Sequence, residues 1–287
     1  MLVSMKPILD KARAEGYGVI APSIDSEPCI EAAIEAAEEL RSPVILNIHH
    51  FTFDDMDLMI HLARLRAERA SVPVAINEDH GETYEDAIQC IHWGFTSIMP
   101  DRSKLSFEEN VAQVSELVKI AHACGVSVEA ELGHVGMASE IEAGGSKHNT
   151  SELFSLESVK TDPDLAAEYV RRTGVDCLAV SIGNRHGPFP KGVQPCIDFE
   201  LLEKLKNAVS VPLVLHGGSG TGDENLAKAC RMGICKINVG TELRRGAADK
   251  VLNLEKGKYY WTYDLVKAGY KEKLIYHMNL FGSAGKA

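Results

Sequence analysis

Eight short apolar runs alternate with amphipathic stretches along the 287 residues. That alternation predicts an α/β fold, a closed (β/α)8 barrel with an extra C-terminal helix. Two further observations support it. Polar and titratable residues gather at the C-terminal ends of six of the predicted strands, where such barrels carry their sites. No strand runs through a Gly-x-Gly-x-x-Gly turn into a helix, which disfavours an open, doubly wound sheet. There is no internal repeat beyond the βα alternation, no low-complexity tract and no linker, so residues 1–287 read as one domain.

The strands are predicted at 19–24, 44–48, 74–76 running on to 80, 97–99, 126–132, 177–182, 213–216 and 236–239. Most are runs of Val, Ile and Leu, the pattern of parallel strands buried on both faces. Helical patterns fill 28–40, 53–69, 83–93, 107–124, 163–173, 199–208 and 223–232. Pro43, Pro73 and Pro212 each precede a strand, where proline removes no ladder donor. Beyond the eighth strand, 241–254 reads as helix and 265–280 as a final helix, which either caps the barrel or pairs subunits. The connection from Gly133 to about Lys160 is far longer than the others and rich in glycine. Loops of that length in compact domains are commonly functional, and a lid over the barrel mouth is the reading. A second irregular stretch covers 187–195.

Composition narrows the function. A net charge of −11 argues against nucleic-acid or anionic-membrane partners. No apolar run approaches the roughly 20 residues of a membrane span, and the N-terminus lacks the charged-then-apolar order of a signal peptide. The seven cysteines are scattered, odd in number and without a Cys-x-x-Cys pair. Reduced thiols in a cytoplasm are expected, rather than a disulfide frame or zinc ribbon.

Three strand ends carry a histidine followed by glycine: His80, His186 and His216. Singly, each reads as a rim residue bonded to backbone. Together, three imidazoles and an open position suit a catalytic zinc ion. His49 and His50 at the second strand end, and His134 and His148 in the long loop, are alternative ligands. Asp79 beside His80 is either a proton-transfer group or an acceptor for an imidazole N–H. Successive strand residues face opposite ways, so both reach the mouth only if the chain has left the strand by then. Glu129 and Glu131 share a face, towards the barrel interior. Glu131 and Asp101 either hold a second cation, orient the histidines, or pair with Arg102 or Lys104. Phosphate in such barrels commonly binds after strands seven and eight. Those loops here are Gly217-Gly-Ser-Gly220 and Asn238-Val-Gly-Thr241, with bare N–H groups, hydroxyls and following helix N-termini. The plain alternative is two ordinary glycine turns.

In order along the chain, these segments resemble the class II, zinc-dependent fructose- and tagatose-bisphosphate aldolases. They are Asn77-Glu-Asp-His-Gly81, Val128-Glu-Ala-Glu-Leu-Gly133, Leu178-Ala-Val-Ser-Ile-Gly-Asn-Arg-His-Gly187, Leu213-Val-Leu-His-Gly-Gly-Ser-Gly220, Lys236-Ile-Asn-Val-Gly-Thr-Glu-Leu243 and the tail Gly282-Ser-Ala-Gly-Lys-Ala287. The resemblance covers nearly the whole chain. It implies reversible aldol cleavage of a ketose 1-phosphate or bisphosphate to dihydroxyacetone phosphate and an aldehyde. It implies Zn2+ on His80, His186 and His216, with Asp101 and Glu131 matching acidic positions that take a secondary monovalent or divalent cation. Asp79 becomes the group that exchanges a proton with the aldehyde-derived oxygen. Gly187, Gly217, Gly218, Ser219, Asn238, Val239, Gly240 and Thr241 become dihydroxyacetone phosphate contacts. The partner is a phosphorylated sugar, and the assembly a homodimer or homotetramer. The family's loop glutamate aligns with Ser139, which leaves Glu140, or Glu142 nearby, as the candidate base. Departures cluster at strands one and two and at Arg185, on the aldehyde side, so a ketose phosphate with a longer or carboxylated tail facing Arg185 and His49 is expected. The competing classes are a zinc-dependent hydrolase and a non-catalytic sugar-phosphate-binding subunit on the same barrel.

Overall fold

The computed structural model describes residues 1–133, 160–185, 195–254 and 259–287. Its strands are β1 (Val19–Pro22), β2 (Val44–Ile48), β3 (Val74–Glu78), β4 (Ser97–Ile98), β5 (Ser127–Leu132), β6 (Cys177–Val180), β7 (Leu213–Leu215) and β8 (Ile234–Val239). All pair in parallel, in the order β1-β8-β7-β6-β5-β4-β3-β2. The two ends of this order meet at a parallel bridge between Ser23 and Asn47, which closes the expected barrel. Among the described residues no helix is long and apolar enough to cross a membrane. All seven cysteines are free.

The helices are α1 (Met5–Glu15), α2 (Glu27–Leu40), α3 (Met56–Arg69), α4 (Tyr84–Trp93), α5 (Phe107–Ala123), α6 (Pro163–Thr173), α7 (Phe199–Ala208), α8 (Asp223–Met232), α9 (Thr241–Leu252) and α10 (Thr262–Phe281). Local chemistry sets many of their starts. Thr83 with Asp86, and Ser106 with Glu109, form capping boxes; Asp55, Asp162 and Asp198 cap α3, α6 and α7. By contrast α8 and α9 start on Gly222 and Gly240 with no side-chain cap.

Helix α1 was not expected from the sequence, although its buried residues Met5, Ile8, Leu9 and Ala12 carry helical spacing. Pro7 in its first turn, where helices tolerate proline, masks the signal. The apolar side of α1 packs with Val19, Ala21, Ile45, Ala75, Cys177, Ala179, Val214 and Cys235, a core separate from the larger one beneath the outer helices. These are inward-facing strand residues, so α1 plugs the N-terminal end of the barrel. Further along the strands the buried residues turn polar: Asn47, Asn77, Glu129, Glu131, Lys236 and Asn238. The barrel is therefore apolar at its base and polar towards its mouth.

Helix α10 packs most extensively on α9 and α2. The α9–α10 crossing is a glycine contact. A Cβ on Gly269 would lie 2.2 Å from the carbonyl oxygen of Gly246, and one on Gly246 would lie 2.8 Å from that of Gly269. Gly269→Ala gains about 1 kcal/mol of helix propensity but forces two backbones apart, so a net loss of about 1–3 kcal/mol is expected. For a chain of this size that is a melting temperature lower by several degrees. An unchanged or raised melting temperature would refute the close-packed crossing.

Candidate active site

β3 ends at Glu78, and the chain turns at once. His80 has φ +54°, one of two non-glycine residues with positive φ among those described. A left-handed residue there is unusual for a side chain of this size. The turn is fixed by Asp79 N–H donating to the Ile48 carbonyl and by reciprocal bonds of Gly81 with Met99 and Asp101. Gly81 is dictated by space, since a Cβ would lie 2.3 Å from Glu78 Oε1. Leaving the strand in this way lets Asp79 and His80 both face the mouth.

His80 Nδ1 lies 2.7 Å from Asp101 Oδ2. A carboxylate oxygen only accepts, so this nitrogen carries the hydrogen, and in the neutral ring Nε2 carries the lone pair. Asp101 Oδ1 accepts from Ser103 N–H at 2.9 Å. Both oxygens of Asp101 thus take protein donors, which suits orientation of the imidazole better than cation ligation. Arg102 does not neutralise it by a side-chain pair; its guanidinium donates to the carbonyls of Gly81, Glu82 and Asp101 and to Gln113. Burial opposes a charge on His80, but Asp101 and Asp79 outweigh it and raise its pKa.

His216, at the end of β7, is fully buried. Its Nε2 lies 2.8 Å from Glu129 Oε1 and its Nδ1 3.1 Å from Glu131 Oε2. Burial again opposes charge, yet the two carboxylates carry the pKa up to about 10. One ligand atom from each of His80, Glu131 and His216 falls within 4.8 Å of the others. Two imidazoles and a carboxylate suit a borderline divalent cation such as zinc, so the residues fit the expected ion. Glu131 joins the two histidines directly rather than at a distance. His186, Gly187, Glu140 and Glu142, together with His134 and His148, lie outside the described residues.

Asp79 is buried, and several groups converge on it. Asn238 Nδ2 donates to its Oδ1 at 3.3 Å, His49 Nε2 lies 3.5 Å from its Oδ2, and His80 Nε2 lies 3.8 Å from its Oδ1. Burial would raise its pKa, but His49, His80, Lys236 and His216 together hold it well below the usual carboxylate range. His49 is thus a neighbour of Asp79: its Nδ1 donates to the Asp79 carbonyl at 2.7 Å, and its ring stacks on exposed Phe51. His50 lies 3.5 Å from Asp86, away from the cluster.

The two glycine loops flank this cluster. Gly217 has φ +65° and Gly220 φ +83°, conformations that favour glycine. At Gly218 a Cβ would lie 2.6 Å from Ile237 Cγ2 and 2.9 Å from the Asn238 carbonyl oxygen. The first loop is held against the second by Gly218 N–H on that carbonyl, by Glu242 N–H on Ser219 Oγ and by Gly220 N–H on Glu242 Oε1. Asn238 and Val239 end β8, Gly240 is the N-cap of α9 and Thr241 its first residue. The uncapped N-terminus of α9 thus faces the same mouth, a setting that favours an anion.

One feature of the site was missed from sequence. Lys236 is fully buried and its Nζ lies 2.8 Å from Glu129 Oε2. A register shift pairs Leu213 with Ile234 but Val214 with Lys236, so Cys235 is an extra residue in β8. This bulge is what brings Lys236 and Asn238 inward. A lysine in the middle of a buried strand was the signal available.

Fold and cluster together define a barrel enzyme with a metal-type donor set beside two glycine loops. The chain belongs to the class-II fructose-bisphosphate aldolase family, whose model matches residues 3–286; its members are lyases. It is 37% identical over 316 residues to a fructose-bisphosphate aldolase of Thermus caldophilus, covering 100% of both chains. It is 38% identical over 296 residues to that of Geobacillus stearothermophilus, covering 100% of this chain and 99% of the relative. Among solved structures, the YdjI aldolase of Escherichia coli K12 superposes with a TM-score of 0.87 at 34% identity, covering 100% of each chain.

Proposed function

We propose that the chain cleaves, and in reverse forms, a carbon–carbon bond of a ketose 1-phosphate or bisphosphate, giving dihydroxyacetone phosphate and an aldehyde. One observation carries the reading: Asp79, His80, Glu131 and His216 converge at the mouth beside the strand-seven and strand-eight loops. His80 and His216, with Glu131 or His186, would hold a divalent ion. When bound, such an ion supplies Lewis-acid stabilisation of the negative charge that develops on the ketose oxygen.

The chain's own residues supply the remainder. The N–H groups of 217–219 and 238–241 other than that of Gly218, which the Asn238 carbonyl takes, and the hydroxyls of Ser219 and Thr241 anchor the phosphate, which fixes the reacting carbons and contributes through positioning. Asp79, kept ionised, accepts the proton from the hydroxyl that becomes the aldehyde oxygen and returns it in the synthetic direction. Asn238 aligns Asp79 through its side-chain N–H. Glu140, or Glu142, is the candidate for proton exchange at the dihydroxyacetone phosphate carbon, and Asp101 orients His80. A hydrolase would leave both anion loops without a role, and a non-catalytic subunit would have no use for a buried ionised Asp79.

On the aldehyde side, His49, stacked on Phe51, narrows the approach to Asp79, and Arg185 follows Asn184, whose Nδ2 donates to the His216 carbonyl. The reading is a substrate with a longer or carboxylated tail. Metal-replete protein given a panel of ketose 1-phosphates, uronate-type ketose phosphates and bisphosphates is expected to release dihydroxyacetone phosphate, fastest from a member with such a tail. No release from any of them, or hydrolysis instead, would sink the aldolase reading; fructose bisphosphate as the best substrate would sink only the tail. The assembly is read as a homodimer or homotetramer, which light scattering checks.

A further inference from the structure

An unbroken chain of buried polar contacts runs through the barrel from His216 to Asp79. His216 Nε2 meets Glu129 Oε1 at 2.8 Å. Glu129 Oε2 meets Lys236 Nζ at 2.8 Å. Lys236 Nζ donates to Asn238 Oδ1 at 2.8 Å, and Asn238 Nδ2 donates to Asp79 Oδ1 at 3.3 Å. No member is more than 7% exposed.

Donor and acceptor rules fix the sense of every link. Glu129 only accepts, so His216 Nε2 carries hydrogen; Nδ1 also faces a carboxylate, Glu131, at 3.1 Å, so without a cation the ring holds both hydrogens, and Nδ1, on the Glu131 side, is the nitrogen that a cation at the cluster would take. An ammonium only donates, so Asn238 must present its oxygen to Lys236. Its NH2 is thereby turned to Asp79; with the amide reversed, an amide oxygen would face the carboxylate and an NH2 the ammonium. One residue, Lys236, therefore sets both ends. It holds Glu129 against the imidazole and selects the orientation of Asn238.

Burying a lysine in a barrel interior is costly, and an apolar side chain of similar size would commonly stabilise a core as well or better. The ammonium has no route to solvent and touches no mouth residue other than Asn238 among the contacts described. Its placement follows from the bulge at Cys235.

We propose that Lys236 is a positioning residue: through Glu129 it fixes the tautomer in which His216 offers Nδ1 to a cation, and through Asn238 it aligns Asp79. The proposal rests on reading His80, Glu131 and His216 as a cation site. It takes no part in proton transfer itself, so its signature is in metal binding and in the environment of the bound ion.

The test measures Co2+ and Zn2+ affinity of metal-stripped full-length protein by chelator competition, with the visible spectrum of the cobalt form. Lys236→Met is compared with wild type and with the doubly substituted Glu129→Gln/Lys236→Met, which removes both charges and keeps the core neutral. A glutamine either accepts from or donates to Nε2, so the tautomer is no longer imposed. Both variants are expected to bind metal about 10- to 100-fold more weakly, with an altered cobalt spectrum, and to show a lowered kcat on ketose phosphate as Asn238 loses its hold on Asp79. If the single variant does not fold, the charge-neutral double one decides. A folded double variant with wild-type affinity and an unchanged cobalt spectrum overturns the proposal. Wild-type protein that takes up neither ion overturns the cation site, and the proposal with it.

Discussion

His216→Ala is expected to lose tight metal binding and to lower dihydroxyacetone phosphate release by about a thousandfold or more. The residue is fully buried at the meeting point of Glu129 and Glu131, so no other described side chain can take its place without a change in the strand. Lewis-acid stabilisation is worth several kcal/mol, and about 1.4 kcal/mol is a factor of ten in rate. The substitution also leaves two carboxylates facing an emptied space beside one lysine. Removing one member of a buried charged group commonly costs about 3–5 kcal/mol, so thermal stability is expected to fall as well. Metal content by mass spectrometry and turnover of the refolded, metal-replete variant check this. Chelation of the wild-type protein should reproduce the activity loss, and readdition of metal should reverse it. A variant that holds zinc as tightly as wild type and turns over normally would refute the assignment.

Asp79→Asn is expected to lower kcat by about 10²- to 10⁴-fold, the range for loss of a positioned acid–base group, while metal stays bound. The asparagine is nearly isosteric and still reaches Asn238 and His49, so the turn after β3 has reason to survive. What it lacks is the negative charge that the surrounding cationic and polar groups keep in place. Because chemistry is affected and phosphate anchoring is not, KM for the ketose phosphate is expected to change far less than kcat. Wild-type turnover in this variant would remove Asp79 from the mechanism; loss of metal together with loss of activity would reassign it to holding the site together.

Much of this was legible in the chain before any coordinates. The eight strands were recovered in place because parallel strands buried on both faces must be apolar, and proline marked where three of them start. Gly217-Gly-Ser-Gly220 and Asn238-Val-Gly-Thr241 stood out because glycines and hydroxyls follow the seventh and eighth strands there, and at Gly218 the structure leaves no room for a Cβ. Glu129 and Glu131 were placed on one inward face by the two-residue period alone, and both face His216. The plugging helix α1 was missed although its buried Met5, Ile8, Leu9 and Ala12 carry helical spacing.

Sequence by itself thus determined the barrel, the family and the residues from which a site could be drawn, since each depends on local pattern or on an ordered set of motifs. Tertiary structure decided which of them meet. The left-handed turn at His80 puts adjacent Asp79 and His80 on one side, against the alternation of a strand. The extra residue in β8 turns Lys236 inward, where Glu129 balances its charge. Asp101 was set apart from the His80–Glu131–His216 group as a partner of the His80 ring, and Glu131 was drawn into that group. These outcomes rest on backbone shifts of one residue and on hydrogen bonds between positions up to 159 apart in sequence. The energy of a buried charge depends on what lies beside it in space, which no local pattern encodes.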